Sequence, residues 1–161
     1  MERLWAPWRM EYITGEHKPG CLFCRVLENP DDPDAELVVW RPEGALVILN
    51  KFPYNAGHVM VAPAAHQGDL EKLDDAQTAD LMRALKRTTA VLRATLKPEG
   101  FNIGANIGRV AGAGIPDHVH LHVVPRWNGD TNFMPVLAEV KVVNEHLIQT
   151  AAKLRKAFSS S

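Results

Sequence analysis

Hydrophobic and polar positions alternate or recur along most of this chain, and the period of recurrence divides it into elements. Glu36-Leu37-Val38-Val39-Trp40-Arg41 is strand-like and ends at the turn Pro42-Glu43-Gly44. Ala45-Leu46-Val47-Ile48-Leu49-Asn50 is nearly all apolar, as a central strand buried on both faces requires. After the loop Lys51 to Ala56, Gly57-His58-Val59-Met60-Val61-Ala62-Pro63 forms a third strand. The connections between these runs are short, which predicts antiparallel pairing. Periodicity then changes from two to 3.6. Leu81, Leu85, Thr88, Leu92 and Leu96 form one stripe, Asp74 and Gln77 resemble a capping box, and Pro98 and Gly100 end the helix. Phe101 to Asn106 reads as a fourth strand and runs into the glycine-rich loop Ile107 to Gly114. Asp117-His118-Val119-His120-Leu121-His122-Val123-Val124-Pro125-Arg126 reads as a fifth strand, with three imidazoles on one face and apolar side chains on the other. Val140 to Val143 is extended, and Asn144 caps a last helix carrying Leu147, Ala151, Leu154 and Phe158 on one stripe.

Strands followed by a long helix, then strands and a closing helix, predict an α+β fold with a mostly antiparallel sheet of about five strands. The 161 residues suit a single domain. It divides into a Trp-rich arm over 1–20, a core over 21–127 and a C-terminal extension with a helix over 128–161. Trp5, Pro7 and Trp8 in the arm either pack on their own domain or form a dimer contact or lid. Asn29 to Asp34 is an acidic turn carrying two prolines.

Composition narrows the partners. A content of 46% hydrophobic and 23% charged residues is that of an ordinary globular chain. The net charge of −1 gives no nucleic-acid groove or membrane-binding surface. Apolar runs are too short to span a bilayer, and Met1-Glu2-Arg3-Leu4-Trp5 lacks the apolar core of a signal peptide, so the expectation is a cytoplasmic protein with reduced cysteines. Arg83, Lys86, Arg87 and Arg93 lie off the apolar stripe of the long helix, either as a solvated face or as a phosphate contact.

Two patterns carry chemistry. Three of the seven histidines fall at 118, 120 and 122. On a strand face they stand roughly 7 Å apart. A neutral imidazole can attack phosphorus to give a covalent phospho-histidine, and a neighbouring imidazole can donate to phosphate oxygens; the same three could also hold a metal. Cys21-Leu22-Phe23-Cys24 is the second pattern. It fits half of a zinc site, a redox pair or two half-buried thiols without a metal. The glycines before His118 permit close backbone approach to phosphate, but their spacing is that of neither a dinucleotide fingerprint nor a P-loop.

His118-Val119-His120-Leu121-His122-Val123-Val124 resembles the histidine triad (HIT) motif, in which three histidines alternate with apolar residues. Asn50, the Gly57 to Pro63 run and its spacing to His118 extend the likeness over roughly residues 21–127. The resemblance implies a nucleotide-binding transferase or hydrolase acting at an α-phosphate through a nucleotidyl-histidine, usually as a homodimer whose sheets join. Its catalytic residues match His120 as nucleophile, His122 as phosphate-binding partner and His118 as first histidine. Its substrate-binding residues match Asn50 at the ribose, His58 in support, Asn106 near the phosphate and the loop around Gly112 and Gly114. In members with Cys-x-x-Cys, the resemblance implies a structural zinc site, here Cys21, Cys24, His66 and His118, with Mg²⁺ accompanying the nucleotide. Many hydrolytic members carry Gln or Ser where this chain has Gly114. The Trp-rich arm and the segment from Pro125 to Phe133 are similar to the bacterial diadenosine tetraphosphate phosphorylase branch, which implies transfer to phosphate over transfer to water. Cleavage of nucleoside phosphoramidates, and nucleotide binding without turnover, are the alternatives.

Overall fold

The computed structural model describes residues 19–130 and 146–160. Among these residues, five strands form one open antiparallel sheet: β1 (Val38–Trp40), β2 (Ala45–Leu49), β3 (Val59–Pro63), β4 (Gly100–Gly104) and β5 (Leu121–Arg126). Their order across the sheet is β1-β2-β3-β5-β4, so the α+β expectation is met. Every residue of β2 and β3 is buried, which explains their lack of polar alternation. β2 is an interior strand, while β3 occupies the middle of the sheet.

Among the described residues, three α-helices accompany the sheet: α1 (Leu22–Glu28), α2 (Asp75–Leu96) and α3 (Leu147–Ser159). The capping box at α2 is present in both directions. The Gln77 N–H donates to the Asp74 carboxylate, and the Asp74 N–H donates to the Gln77 side chain. Leu81, Leu85, Thr88 and Leu92 face inward, joined by Ala84 and Val91, and Thr88 satisfies its buried hydroxyl on the Ala84 carbonyl at 2.7 Å. Lys97, in the left-handed region at φ 53°, ends the helix before Pro98. Helix α2 lies across β2, β3 and β5, whereas α3 packs on β1 and α2. Val119, Leu121 and Val123 point to this shared core, as the alternation predicts.

Several boundaries differ from the sequence reading, each for a local reason. The first strand begins at Val38 because Pro33–Leu37 coils as a 3₁₀ helix, with the Asp34 N–H donating to the Asp32 side chain. Helix α1 was not expected; it is short, and burial of Phe23 and Val26 holds it. The third strand starts one residue after His58, the fourth ends at Gly104, and a 3₁₀ turn at Arg109–Ala111 interrupts the glycine loop. The histidine strand begins at Leu121, leaving His118 and His120 outside the ladder. Main-chain donors that would continue it are diverted, the His118 N–H to the Ile115 carbonyl at 3.4 Å and the Val119 N–H to the Gln67 carbonyl at 2.7 Å, while the His118 ring N–H takes the Pro63 carbonyl at 2.8 Å. The described start of α3 is capped by His146, whose ring accepts from the Ile148 N–H. The Asn144 cap, the 140–143 extended run and the Trp5-Trp8 arm lie outside the described residues.

Candidate functional site

The histidines run along β3 and β5, from the loop before β3 to the link after it, where the start of α1 joins the segment entering β5. His58 is fully buried immediately before β3, and His122 lies on β5 in register with Met60. Their rings meet, Nε2 of His58 and Nδ1 of His122 being 3.0 Å apart. The Tyr54 N–H donates to Nδ1 of His58 at 3.0 Å. That bond makes Nδ1 of His58 an acceptor and places its proton on Nε2. His58 therefore donates to Nδ1 of His122, which puts the His122 proton on Nε2. A main-chain amide thus sets the tautomer of two rings in succession.

His120 is governed by a different backbone group. Its Nδ1–H donates to the His118 carbonyl at 2.9 Å, which leaves the lone pair on Nε2. Burial lowers the proton affinity of this ring, and the His118 carbonyl partly opposes that by favouring the protonated form. A neutral imidazole with a fixed tautomer is a competent nucleophile. The His120 and His122 rings meet edge-on at 5.0 Å between centroids, so a nucleophilic nitrogen and an N–H donor belong to one site.

His118 turns the other way. Its Nδ1 lies 3.3 Å from Cys21 Sγ and 3.7 Å from Cys24 Sγ, while Cys24 Sγ lies 3.2 Å from His66 Nδ1. Its main-chain carbonyl is what His120 binds. The four ligand atoms of Cys21, Cys24, His66 and His118 fall within 4.8 Å of one another. Tetrahedral zinc with ordinary Zn–S and Zn–N bonds spaces sulfur and nitrogen by about 3.6 Å, which these contacts bracket. The tautomer also fits: with Nε2–H given to the Pro63 carbonyl, His118 presents the Nδ1 lone pair to the thiols. Burial, with the neighbouring Cys21 adding to it, pushes the Cys24 thiol up to about 11. A bound cation reverses that preference by stabilising the thiolate. Residues, geometry and tautomer therefore fit a closed structural metal site better than a catalytic one, which keeps a position open.

The remaining sequence candidates lie on loops that flank these strands. The Asn50 N–H donates to the His58 carbonyl at 2.9 Å, and its side-chain oxygen accepts from the Phe52 N–H, placing the carboxamide at the mouth of the histidine loop. Asn106 is half-buried, two residues past Gly104, whose Cα is in register with His122. Gly112 is exposed at φ 86°, and Gly114 is exposed in the segment leading to His118.

Sequence reasoning missed a second support. Asn55 donates to the Pro125 carbonyl at 3.1 Å and to Asp130 at 2.8 Å, while Asp130 accepts from both Nε and Nη2 of Arg126. This knot ties the loop holding Tyr54 and His58 to the far end of β5. An amide donor such as Tyr54 has no signature in residue type, although the Asn55-Ala56-Gly57 turn beside a histidine marks where to look.

A family model described as HIT domain matches residues 33–129. An AP-4-A phosphorylase of Mycobacterium tuberculosis (strain CDC 1551 / Oshkosh) is 36% identical over 159 residues, covering 93% of this chain and 80% of that protein. An adenosine 5′-monophosphoramidase of Candida albicans is 29% identical, over 66% of this chain and 70% of its own. Among solved structures, a zinc-bound histidine triad family protein from Mycobacterium smegmatis superposes with a TM-score of 0.70 at 29% identity, covering 88% of this chain and 94% of that one.

Proposed function

Because this chain belongs to the HIT domain family, whose members here are nucleotide-related transferases and hydrolases, we propose that it cleaves dinucleoside polyphosphates such as diadenosine tetraphosphate at an α-phosphate. The observation that carries this reading is the pair of fixed tautomers, His120 with its Nε2 lone pair and His122 with its Nε2–H.

In the first step Nε2 of His120 attacks the α-phosphorus, the bond from phosphorus to the bridging oxygen breaks, and the rest of the substrate leaves as a nucleoside polyphosphate. The nucleotidyl group is then bonded to His120, whose ring gains positive charge. The Nδ1–H already directed at the His118 carbonyl stabilises that charge without rearrangement. His122 donates to the phosphate oxygens as charge builds on them, and His58 holds His122 for this work. Asn50 contacts the ribose, and Asn106 with the amides around Gly112 and Gly114 faces the phosphates. In the second step an acceptor oxygen attacks the same phosphorus, the nitrogen–phosphorus bond breaks, and His120 regains its lone pair.

Inorganic phosphate is the favoured acceptor. Gly114 offers no side chain to position water where many hydrolytic relatives have Gln or Ser, and the Mycobacterium tuberculosis relative is named a phosphorylase. The likeness to a monophosphoramidase supports a second reading, in which an amine leaves instead of a nucleotide. Zinc held by Cys21, Cys24, His66 and His118 supplies a structural cross-link, and Mg²⁺ travels with the substrate.

The edges of the sheet support the expected homodimer. Arg155 donates to the Glu36 and Val38 carbonyls and α3 covers β1, whereas among the described residues β4 pairs only with β5, and Ile103 there is 47% exposed. An open edge with an apolar side chain suits pairing with a second copy, giving a homodimer. No helix among the described residues is long and apolar enough to cross a membrane, and we place the protein in the cytoplasm.

Incubation with diadenosine tetraphosphate, with and without phosphate, tests this reading. ADP and ATP appearing only with phosphate support phosphorolysis; AMP and ATP in either condition select hydrolysis; an intact substrate refutes the assignment.

A further inference from the structure

One peptide unit, between His118 and Val119, stands between the cysteine–histidine cluster and the nucleophile. Its carbonyl accepts from Nδ1–H of His120 at 2.9 Å, and its N–H donates to the Gln67 carbonyl at 2.7 Å. No ladder holds it, because pairing between β3 and β5 runs only from Val61–Leu121 to Val59–Val123. It is held instead by the residues on either side. His118 carries the carbonyl, and His66 precedes Gln67. Both of these histidines belong to the four-residue cluster with Cys21 and Cys24.

We infer that metal occupancy of Cys21, Cys24, His66 and His118 positions the nucleophile, by clamping the 66–67 and 118–119 segments on which the His118–Val119 peptide is hung. The inference rests on the proposed role of His120 but goes beyond it, since it makes His66 and His118 positioning residues that touch no substrate.

The geometry gives the clamp leverage. His118 reaches the cluster through Nδ1 and the Pro63 carbonyl through Nε2, so a metal fixes the last free direction of its ring and, through Cα, the tilt of its carbonyl. His66 is exposed, and without a metal it is held by a 3.2 Å approach to Cys24 and an edge-on contact with the His118 ring, both weak. Movement of His66 displaces Gln67, the acceptor for the other end of the peptide. Gly68 shows how closely the segments meet: a Cβ there would lie 2.5 Å from the Pro116 carbonyl oxygen. A shift of the peptide misdirects the Nδ1–H of His120 and therefore the Nε2 lone pair on the opposite side of the ring. Loss of second-sphere orientation of this kind costs about 10- to 100-fold in activity.

The test compares zinc-loaded protein, chelator-treated zinc-free protein and the His66→Ala variant, all with ¹⁵N-labelled histidine. Circular dichroism follows the fold. The expected result is a single His120 tautomer with a protected Nδ1–H in the loaded protein and averaged ring signals in the zinc-free protein. Single-turnover formation of nucleotidyl-enzyme should fall about 10- to 100-fold while nucleotide affinity changes less than about twofold. His66→Ala should behave as zinc-free at low Zn²⁺ and recover with excess Zn²⁺. A folded zinc-free protein with an unchanged His120 ring spectrum overturns the inference, as does failure to take up Zn²⁺. Loss of the fold on zinc removal also overturns it, because the cluster then holds the domain rather than one peptide. The ring spectra need no turnover, so failure of the proposed substrate and failure of this inference are separate results.

Discussion

Replacing His58 by Phe isolates the relay that prepares His122. Phe keeps the ring and most of the volume at a fully buried position, so packing is nearly conserved. Two hydrogen bonds are lost: the one received from the Tyr54 N–H at 3.0 Å and the one given to Nδ1 of His122 at 3.0 Å. Leaving the Tyr54 amide without its acceptor in a half-buried loop costs about 1–3 kcal/mol of stability. Loss of the bond that sets the His122 tautomer removes about 1–1.5 kcal/mol of organisation from the transition state, or about tenfold in rate. Denaturant unfolding measures the first quantity, and rapid-quench formation of nucleotidyl-enzyme the second. His58→Gln, whose carboxamide can donate toward His122, should recover part of the rate. A His58→Phe rate within about twofold of the parent would refute the relay.

Three further outcomes follow from the geometry. Gly57 stands at φ 71°, and a Cβ there would meet Leu96 Cδ1 at 2.3 Å. Gly57→Ala should therefore lose about 1–2 kcal/mol, chiefly from the left-handed backbone, since the Leu96 methyl can swing aside; unchanged or higher stability in urea unfolding contradicts this. Hydrogen bonds from Arg126, with smaller help from Trp127 and Asn55, hold the Asp130 carboxyl down to about 2 from 3.8. Its folded value is the lower one, so its stabilisation is complete above 3.8 and disappears as pH falls toward about 2. The stability gap between the parent and Asp130→Asn should stay level above about pH 4 and narrow below it; a gap independent of pH removes the Arg126–Asp130 explanation. Arg155→Ala uncovers the Glu36 and Val38 carbonyls and should loosen α3 from β1. Faster amide exchange in β1, with β4 unchanged, is the expected signature.

How much of this was legible beforehand depended on whether a feature is local. The α2 capping box is written in Asp74 and Gln77, three residues apart, and the structure contains both of its bonds. The alternation from His118 to Val123 placed Val119, Leu121 and Val123 in the core, because face assignment follows from the strand period. It did not reveal that the ladder stops at Leu121, since that depends on Pro63 and Gln67 taking donors from a segment some 50 residues away. Helix α1 escaped for a related reason: seven residues have little intrinsic helicity, and their order comes from Phe23, which packs on the His118 and His120 rings. The likeness to the histidine triad family grouped Cys21, Cys24, His66 and His118, and the structure brings the four together. The Tyr54 amide was invisible because a main-chain donor leaves no mark in residue type, and the Asn55–Asp130 knot because its partners are distant in the chain.

The central claim is a covalent bond between His120 and the nucleotide. Its most direct test is rapid denaturation of the protein after mixing with diadenosine tetraphosphate, followed by peptide mass spectrometry. The account predicts one adenylyl group on the peptide containing His120, absent from His120→Ala and discharged when phosphate is present. Products formed with no adduct at any time, or turnover retained by His120→Ala, would contradict it.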